Sequence, residues 1–254
     1  MELTDKIAVV TGGASGIGAA MAQKFAAQGA RKVIVADLDG DKSAAVAAHF
    51  DGFGMACDVA KETDVAALIE HTEREFGPID LFCSNAGVGI GRGLDEPDEV
   101  WQSIWQINTM AHVYAARNLV PRMVARGGGY LLNTASAAGL LSQIGSVTYA
   151  VTKHAAVALA EWISITHGHE GIKVSVLCPQ AVRTAMTADG PGVAGVDGMI
   201  EPETVADAVI EALRAERFLV LPHPEVEEYM QRKTQDYDRW LHGMRRLQER
   251  YSPE

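Results

Sequence analysis

Seven short runs of β-forming residues, at 7–10, 33–36, 54–57, 79–83, 130–134, 174–177 and 218–221, are apolar nearly throughout. Strands in a half-solvated sheet alternate apolar and polar; strands with no alternation must be covered on both faces. The intervening segments read as helices, among them 18–28, 62–76, 99–126, 147–167 and 202–214. Strand–helix–strand units of this kind close through right-handed crossovers. The expected fold is α/β: a doubly wound, parallel seven-stranded sheet with helices on both faces. The 254 residues show no low-complexity linker and no repeat. A Gly-rich stretch at 188–198 falls between the sixth strand and the last crossover helix, where it reads as a mobile active-site loop rather than a domain boundary. One domain is expected, with a core at 5–221 and a helical C-terminal tail at 225–251.

The first strand runs directly into Thr11-Gly12-Gly13-Ala14-Ser15-Gly16-Ile17-Gly18, and a helix follows. Glycines let a backbone turn sharply and approach a pyrophosphate, which then sits at the positive end of the helix. Tight strand–helix turns also use glycine for packing alone, so the loop gains meaning from its partner. Asp37 ends the second strand 19 residues after Gly18, where a carboxylate can accept hydrogen bonds from an adenosine ribose. The loop residues Thr11, Gly12, Ser15, Gly16, Ile17 and Gly18, with Asp37 and Leu38, form a candidate dinucleotide site of Rossmann type. Asp37 would repel a 2′-phosphate and Leu38 offers no charge to neutralise one, so NAD is the expected cofactor. Arg31 and Lys32 are the cations to watch at the start of that strand.

The TGxxxGxG spacing, taken with the residues that follow, resembles the short-chain dehydrogenase/reductase family over roughly residues 5–221. The resemblance implies a helix-capping acid against adenine at Asp58, followed by Val59. The family's Asn-Asn-Ala-Gly motif after the fourth strand reads Ser84-Asn85-Ala86-Gly87 here. After the sixth strand, Pro179, Val182 and Thr184 match residues that contact the nicotinamide amide, while Gln180 replaces a usual glycine. That replacement either alters the backbone or places an amide near the substrate.

Tyr149 and Lys153 are four apart in a helical segment and share a face; Ser136 lies 13 residues earlier, and Asn108 sits in the long helix before that. By resemblance these four form the family's catalytic tetrad. A free tyrosine has a pKa of about 10, so action as a base near neutrality needs a drop worth about 4 kcal/mol. A nearby ammonium supplies up to about 4 kcal/mol at an effective dielectric of 20. Tyr149 is thus the expected general acid/base, Lys153 its pKa-lowering partner and ribose ligand, and Ser136 the holder of the substrate oxygen. Asn108 would anchor a water-linked proton path by resemblance.

The leading expectation is an NAD-dependent oxidoreductase interconverting a secondary alcohol and a ketone. Alternatives are an NADPH-dependent ketone or 3-oxoacyl reductase and, of another class, a non-catalytic dinucleotide-sensing protein. Small and aliphatic residues after the strands (Val88, Ile90, Ala137, Ala138, Leu140, Leu141) suggest a neutral, hydrophobic substrate, with Arg92 and Arg183 the nearby cations.

The balance of 22 basic and 33 acidic residues, net −11, argues against nucleic-acid and anionic-membrane partners. Residues 1–6 lack the apolar region of a secretory leader, and Cys57, Cys83 and Cys178 lack CxxC spacing. Buried free thiols, a cytoplasmic location and no metal site are expected, with His167 and His169 ordinary residues at a helix end. In the tail, Val226, Met230, Tyr237, Leu241, Met244, Leu247 and Tyr251 recur at helical spacing. A single long helix is expected there, crossing onto a neighbouring subunit of a homodimer or homotetramer and walling the substrate pocket.

Overall fold

The computed structural model describes residues 1–251. Its strands are β1 (Ile7–Thr11), β2 (Lys32–Asp37), β3 (Phe53–Ala56), β4 (Leu81–Ser84), β5 (Gly129–Thr134), β6 (Ile172–Leu177) and β7 (Leu219–Val220). They form one sheet in the order β3-β2-β1-β4-β5-β6-β7, every pair parallel. Successive side chains of β1 part to opposite faces, as the strand period of two requires. Ile7 and Val9 enter one core, and Ala8 and Val10 enter the other.

The first core lies under α3 (Glu62–Glu75), α5 (Ala111–Ala125) and α6 (Val147–His167). The second lies under α1 (Gly16–Ala27), α2 (Gly40–Ala48) and α7 (Pro202–Ala215). Cover on both faces explains why the strands read as unbroken apolar runs. All three cysteines are free and buried. No helix among the described residues is long and apolar enough to cross a membrane.

Two expectations change. Residues 99–126 are not one regular helix: α4 (Asp98–Trp105) and α5 are joined by a π-helical turn at Gln106–Met110. Such turns insert a residue into the helical ladder and re-aim the side chains around it, often at functional sites. The tail is likewise two helices, α8 (Glu225–Gln235) and α9 (Tyr237–Tyr251), separated at Asp236. Asp236 takes an extended backbone, and its carboxylate caps the new helix by accepting the Arg239 N–H at 2.9 Å. The apolar spacing survives the break, which is why periodicity alone reads as one helix.

Candidate active site

The chain order reverses between β1 and β4, and in open α/β sheets that crevice is where ligands bind. Thr11 stitches the two strands there. Its Oγ1 donates to the Cys83 carbonyl (3.3 Å) and accepts from the N–H groups of Asn85 (3.0 Å) and Ala86 (3.3 Å). Asn85 answers by donating Nδ2 to the Thr11 carbonyl at 3.1 Å and accepting Thr134 Oγ1 at 3.1 Å. Two glycines are demanded by this crowding. Gly12 has φ +62°, and a Cβ on it would lie 2.7 Å from Ala86 Cα; one on Gly18 would lie 2.1 Å from the Gly12 carbonyl oxygen.

Helix α1 begins after Ser15, whose hydroxyl caps no amide among the described residues, and its first turn holds no acid. Its leading N–H groups are therefore open toward an anion, as a dinucleotide pyrophosphate requires. Ile17 turns inward onto the second core. Thr184 reaches the loop from the far side, its methyl 3.0 Å from where a Cβ on Gly16 would stand. Pro179 accepts Ser136 Oγ through its carbonyl at 3.3 Å, and buried Val182 bridges to Ile200.

At the end of β2, Asp37 Oδ2 accepts the Ala14 N–H at 3.1 Å, so the same carboxylate orients the glycine loop. Leu38 beside it is 74% exposed. Arg31 and Lys32 sit at the other end of the strand, bonded to the carbonyls of Phe76 and Asp51. Lys42, absent from the sequence reading, comes near enough to feel the Asp37 charge but is tied to Asp39 at 3.0 Å. Asp58 caps the turn preceding α3 rather than the helix itself, accepting the Ala60 N–H at 3.1 Å. It also pairs with Lys61 at 3.1 Å, and Val59 is buried behind it.

The four residues of the expected tetrad converge beside this crevice. Ser136 follows β5 and is buried, its Oγ accepting the Ala138 N–H at 3.1 Å. Tyr149 and Lys153 lie one turn apart on α6, with the Lys153 nitrogen 5.6 Å from the tyrosine ring centre. Lys153 donates to the Thr134 carbonyl at 3.0 Å. Asn108, on the π-helical turn, clasps Val88 from both sides. Its Oδ1 accepts the Val88 N–H at 2.9 Å, and its Nδ2 donates to the Val88 carbonyl at 2.9 Å and to Thr152 Oγ1 at 3.3 Å. A Cβ on Gly87 would lie 3.2 Å from the Lys153 nitrogen and 3.3 Å from Asn108 Oδ1, so the motif glycine leaves room where these two meet.

Burial governs the protonation of the pair. It pushes Lys153 down to about 8. It also pushes the Tyr149 phenol up, with the Ser136 hydroxyl pulling the other way. Burial thus opposes the lowering that the Lys153 ammonium and an oxidised nicotinamide ring together are expected to bring. His112, missed in the sequence, is buried nearby and held neutral by burial and by the Lys153 charge, at about 3.

Beside Ser136 opens a cavity of about 950 Å³, walled by the 141–144 segment, the 193–196 loop and the tail. The Gly-rich loop is thus at the site, tied to α8 by a 2.8 Å hydrogen bond from Tyr229 to Asp197. Gln180 resolves one open alternative. It is not among the residues with positive φ, so its backbone has no need of glycine, and its amide lines the cavity. His223, also missed, pins that backbone: Nδ1 accepts the Gln180 N–H and Nε2 meets the Ala181 carbonyl, each at 3.2 Å. Arg92 and Arg183 do not line the cavity, and Arg183 is paired to Glu201 at 2.6 Å. The lining arginines are Arg232, Arg239, Arg246 and Arg250 of the tail.

Residues 6–191 match the family model described as short chain dehydrogenase. The chain is 37% identical over 253 residues to the 1-deoxy-11-beta-hydroxypentalenate dehydrogenase of Streptomyces exfoliatus, covering 95% of this chain and 91% of that one. It is 34% identical over 199 residues to the D-threitol dehydrogenase of Mycolicibacterium smegmatis, covering 75% and 76% of the two chains. Among solved structures, a short chain dehydrogenase/reductase from Burkholderia phymatum in complex with NAD superimposes with a TM-score of 0.84 at 29% identity, over 94% of this chain and 96% of that one. With a family match across most of its sheet and relatives aligned along nearly its whole length, this chain belongs to the short chain dehydrogenase family of oxidoreductases.

Proposed function

We propose that this protein interconverts a secondary alcohol and a ketone with NAD as its cofactor. The observation that carries the reading is the meeting of Asn108, Ser136, Tyr149 and Lys153 beside the open N-terminus of α1. Ser136 holds the substrate oxygen, and Tyr149 moves the proton at that oxygen. Lys153 orients the nicotinamide ribose and adds positive charge beside the phenol. Asn108, fixed by the π-helical turn, anchors the path along which the proton reaches solvent. When bound, the nicotinamide carries the hydride and, in its oxidised form, the further positive charge that a tyrosine base calls for.

Asp37 and exposed Leu38 support NAD over NADP, with Arg31 and Lys32 held at the far end of β2. The Burkholderia phymatum structure holds NAD, which agrees. The cavity's aliphatic lining suits a substrate with an apolar body. A homodimer or homotetramer working in the cytoplasm completes the reading; assembly would cover Trp162 and Ile165, exposed side chains of α6. The test is to follow reduced nicotinamide absorbance with NAD and NADP against a panel of secondary alcohols and ketones. Turnover with NAD about tenfold or more above NADP is expected from one charged contact. Equal efficiency with NADP would refute the cofactor assignment, and absence of turnover with every alcohol and ketone would leave the dinucleotide-sensing alternative.

A further inference from the structure

The cavity wall combines polar, apolar and cationic side chains. Near the reacting groups stand Ser136 and the Gln180 amide, whose Oε1 is buried without a hydrogen-bond partner among the described residues. Ala137, Leu141 and Trp240 contribute apolar surface, packed together through Val226 of α8. Helix α9 supplies Arg239, Arg246 and Arg250 to the same space.

These arginines are spaced by seven and four residues, which places them within one narrow stripe of the helix. Among the described residues none of the three has a carboxylate within ion-pair distance, whereas Arg232 is held by Glu228. Asp236 is the one acid in the lining, and its Oδ1 is engaged by the Arg239 N–H. Like charges four apart on a helix destabilise it. A chain of net charge −11 has therefore gathered cations without an acidic partner among the described residues in the wall of the cavity beside Ser136. Guanidinium forks match oxyanions in a bidentate way, and removing water from a partly enclosed cavity strengthens that pairing.

We propose that the substrate carries an oxyanion, a carboxylate or a phosphate ester, separated by an apolar body from its reacting alcohol or ketone, and that Arg239 and Arg246 bind it. The proposal rests on the cavity being the substrate site of an alcohol–ketone oxidoreductase, and it replaces the neutral substrate expected from the sequence. Octanoate, octyl phosphate and octanamide, titrated calorimetrically into the NAD-loaded full chain, share an apolar body and differ in charge. At least one anion should bind about tenfold or more tighter than the amide. The Arg239→Gln, Arg246→Gln double variant should bring it to parity with the amide, while Arg245→Gln, outside the cavity, should change nothing. The ranking of octanoate against octyl phosphate names the oxyanion. Equal binding of all three probes, or a preference that survives the double variant, overturns the proposal. Oxidation of 2-octanol and of 7-hydroxyoctanoate, its carboxylate-bearing counterpart, with NAD by the unmodified chain tests the underlying reading separately, since failure of both would leave the titration still deciding the anion site.

Discussion

The reacting groups near the end of the interior strand β5 and the tail lying beside them are held by different means. Asn108, Ser136, Thr152 and Lys153 are all buried, and each is hydrogen-bonded to another part of the chain. In α9 every residue keeps some exposure, and Tyr237, Leu241 and Tyr251 are largely open. Val226 is the buried residue of α8, and polar ties do much of the rest: Lys233 donates to the Leu140 carbonyl at 2.6 Å, and Tyr229 to Asp197. Groups that transfer a proton must be fixed within fractions of an ångström, which a dense, hydrogen-bonded setting secures. A wall that admits a substrate can be held weakly, and weakly held elements are the ones that open locally.

The largest effect that would break this contrast is at Tyr149. Tyr149→Phe should lower kcat by about 10³-fold, within the range for lost acid–base catalysis, while NADH affinity by fluorescence titration stays nearly unchanged. Residual activity above a few per cent would remove the phenol from its role.

Lys153 sharpens the contrast through stability. Its folded value of about 8 lies below its ordinary 10.5, so the unfolded chain binds the proton more readily. Below pH 8 the full cost of a buried ammonium is present; from pH 8 to 10.5 stability rises with pH as that cost disappears. Lys153→Met should thus be more stable than the parent at pH 7 by about 2 kcal/mol, after allowance for the lost Thr134 hydrogen bond. The gap should close by pH 10.5 in urea unfolding, although activity is lost throughout. A methionine variant less stable at both pH values would show that the ammonium is not a burden.

Asp37→Ala should erode NAD preference over NADP by about 1–3 kcal/mol, read as a ratio of kcat/KM values. It should also loosen the glycine loop, because the Ala14 N–H loses its acceptor. At the small end, Val226→Ala in the tail should reduce stability by about 1–2 kcal/mol, as expected for two buried methyl equivalents. Its KM for substrate should rise while NADH binding does not move. A loss as large as that of a sheet-core substitution would mean the tail is integral to the fold.

Much of this molecule is legible in its residues because the signals are local. Seven apolar runs, the glycine spacing at 11–18, Asp37 after β2 and the Tyr149–Lys153 step each lie within one strand, turn or helix. Backbone geometry links such neighbours whatever the surroundings. The same reasoning reads 99–126 and 225–251 as single helices, since a π-helical turn and a one-residue break leave the apolar period almost intact. What tertiary structure alone decided are the meetings of distant segments. Packing settled that His223 pins the backbone at Gln180, that Asn108 clasps Val88, and that burial pushes the Tyr149 phenol up. It also settled that the arginines of α9 face the cavity beside Ser136. Residues tens of positions apart or more share no periodicity, so their contact is written only in the folded chain.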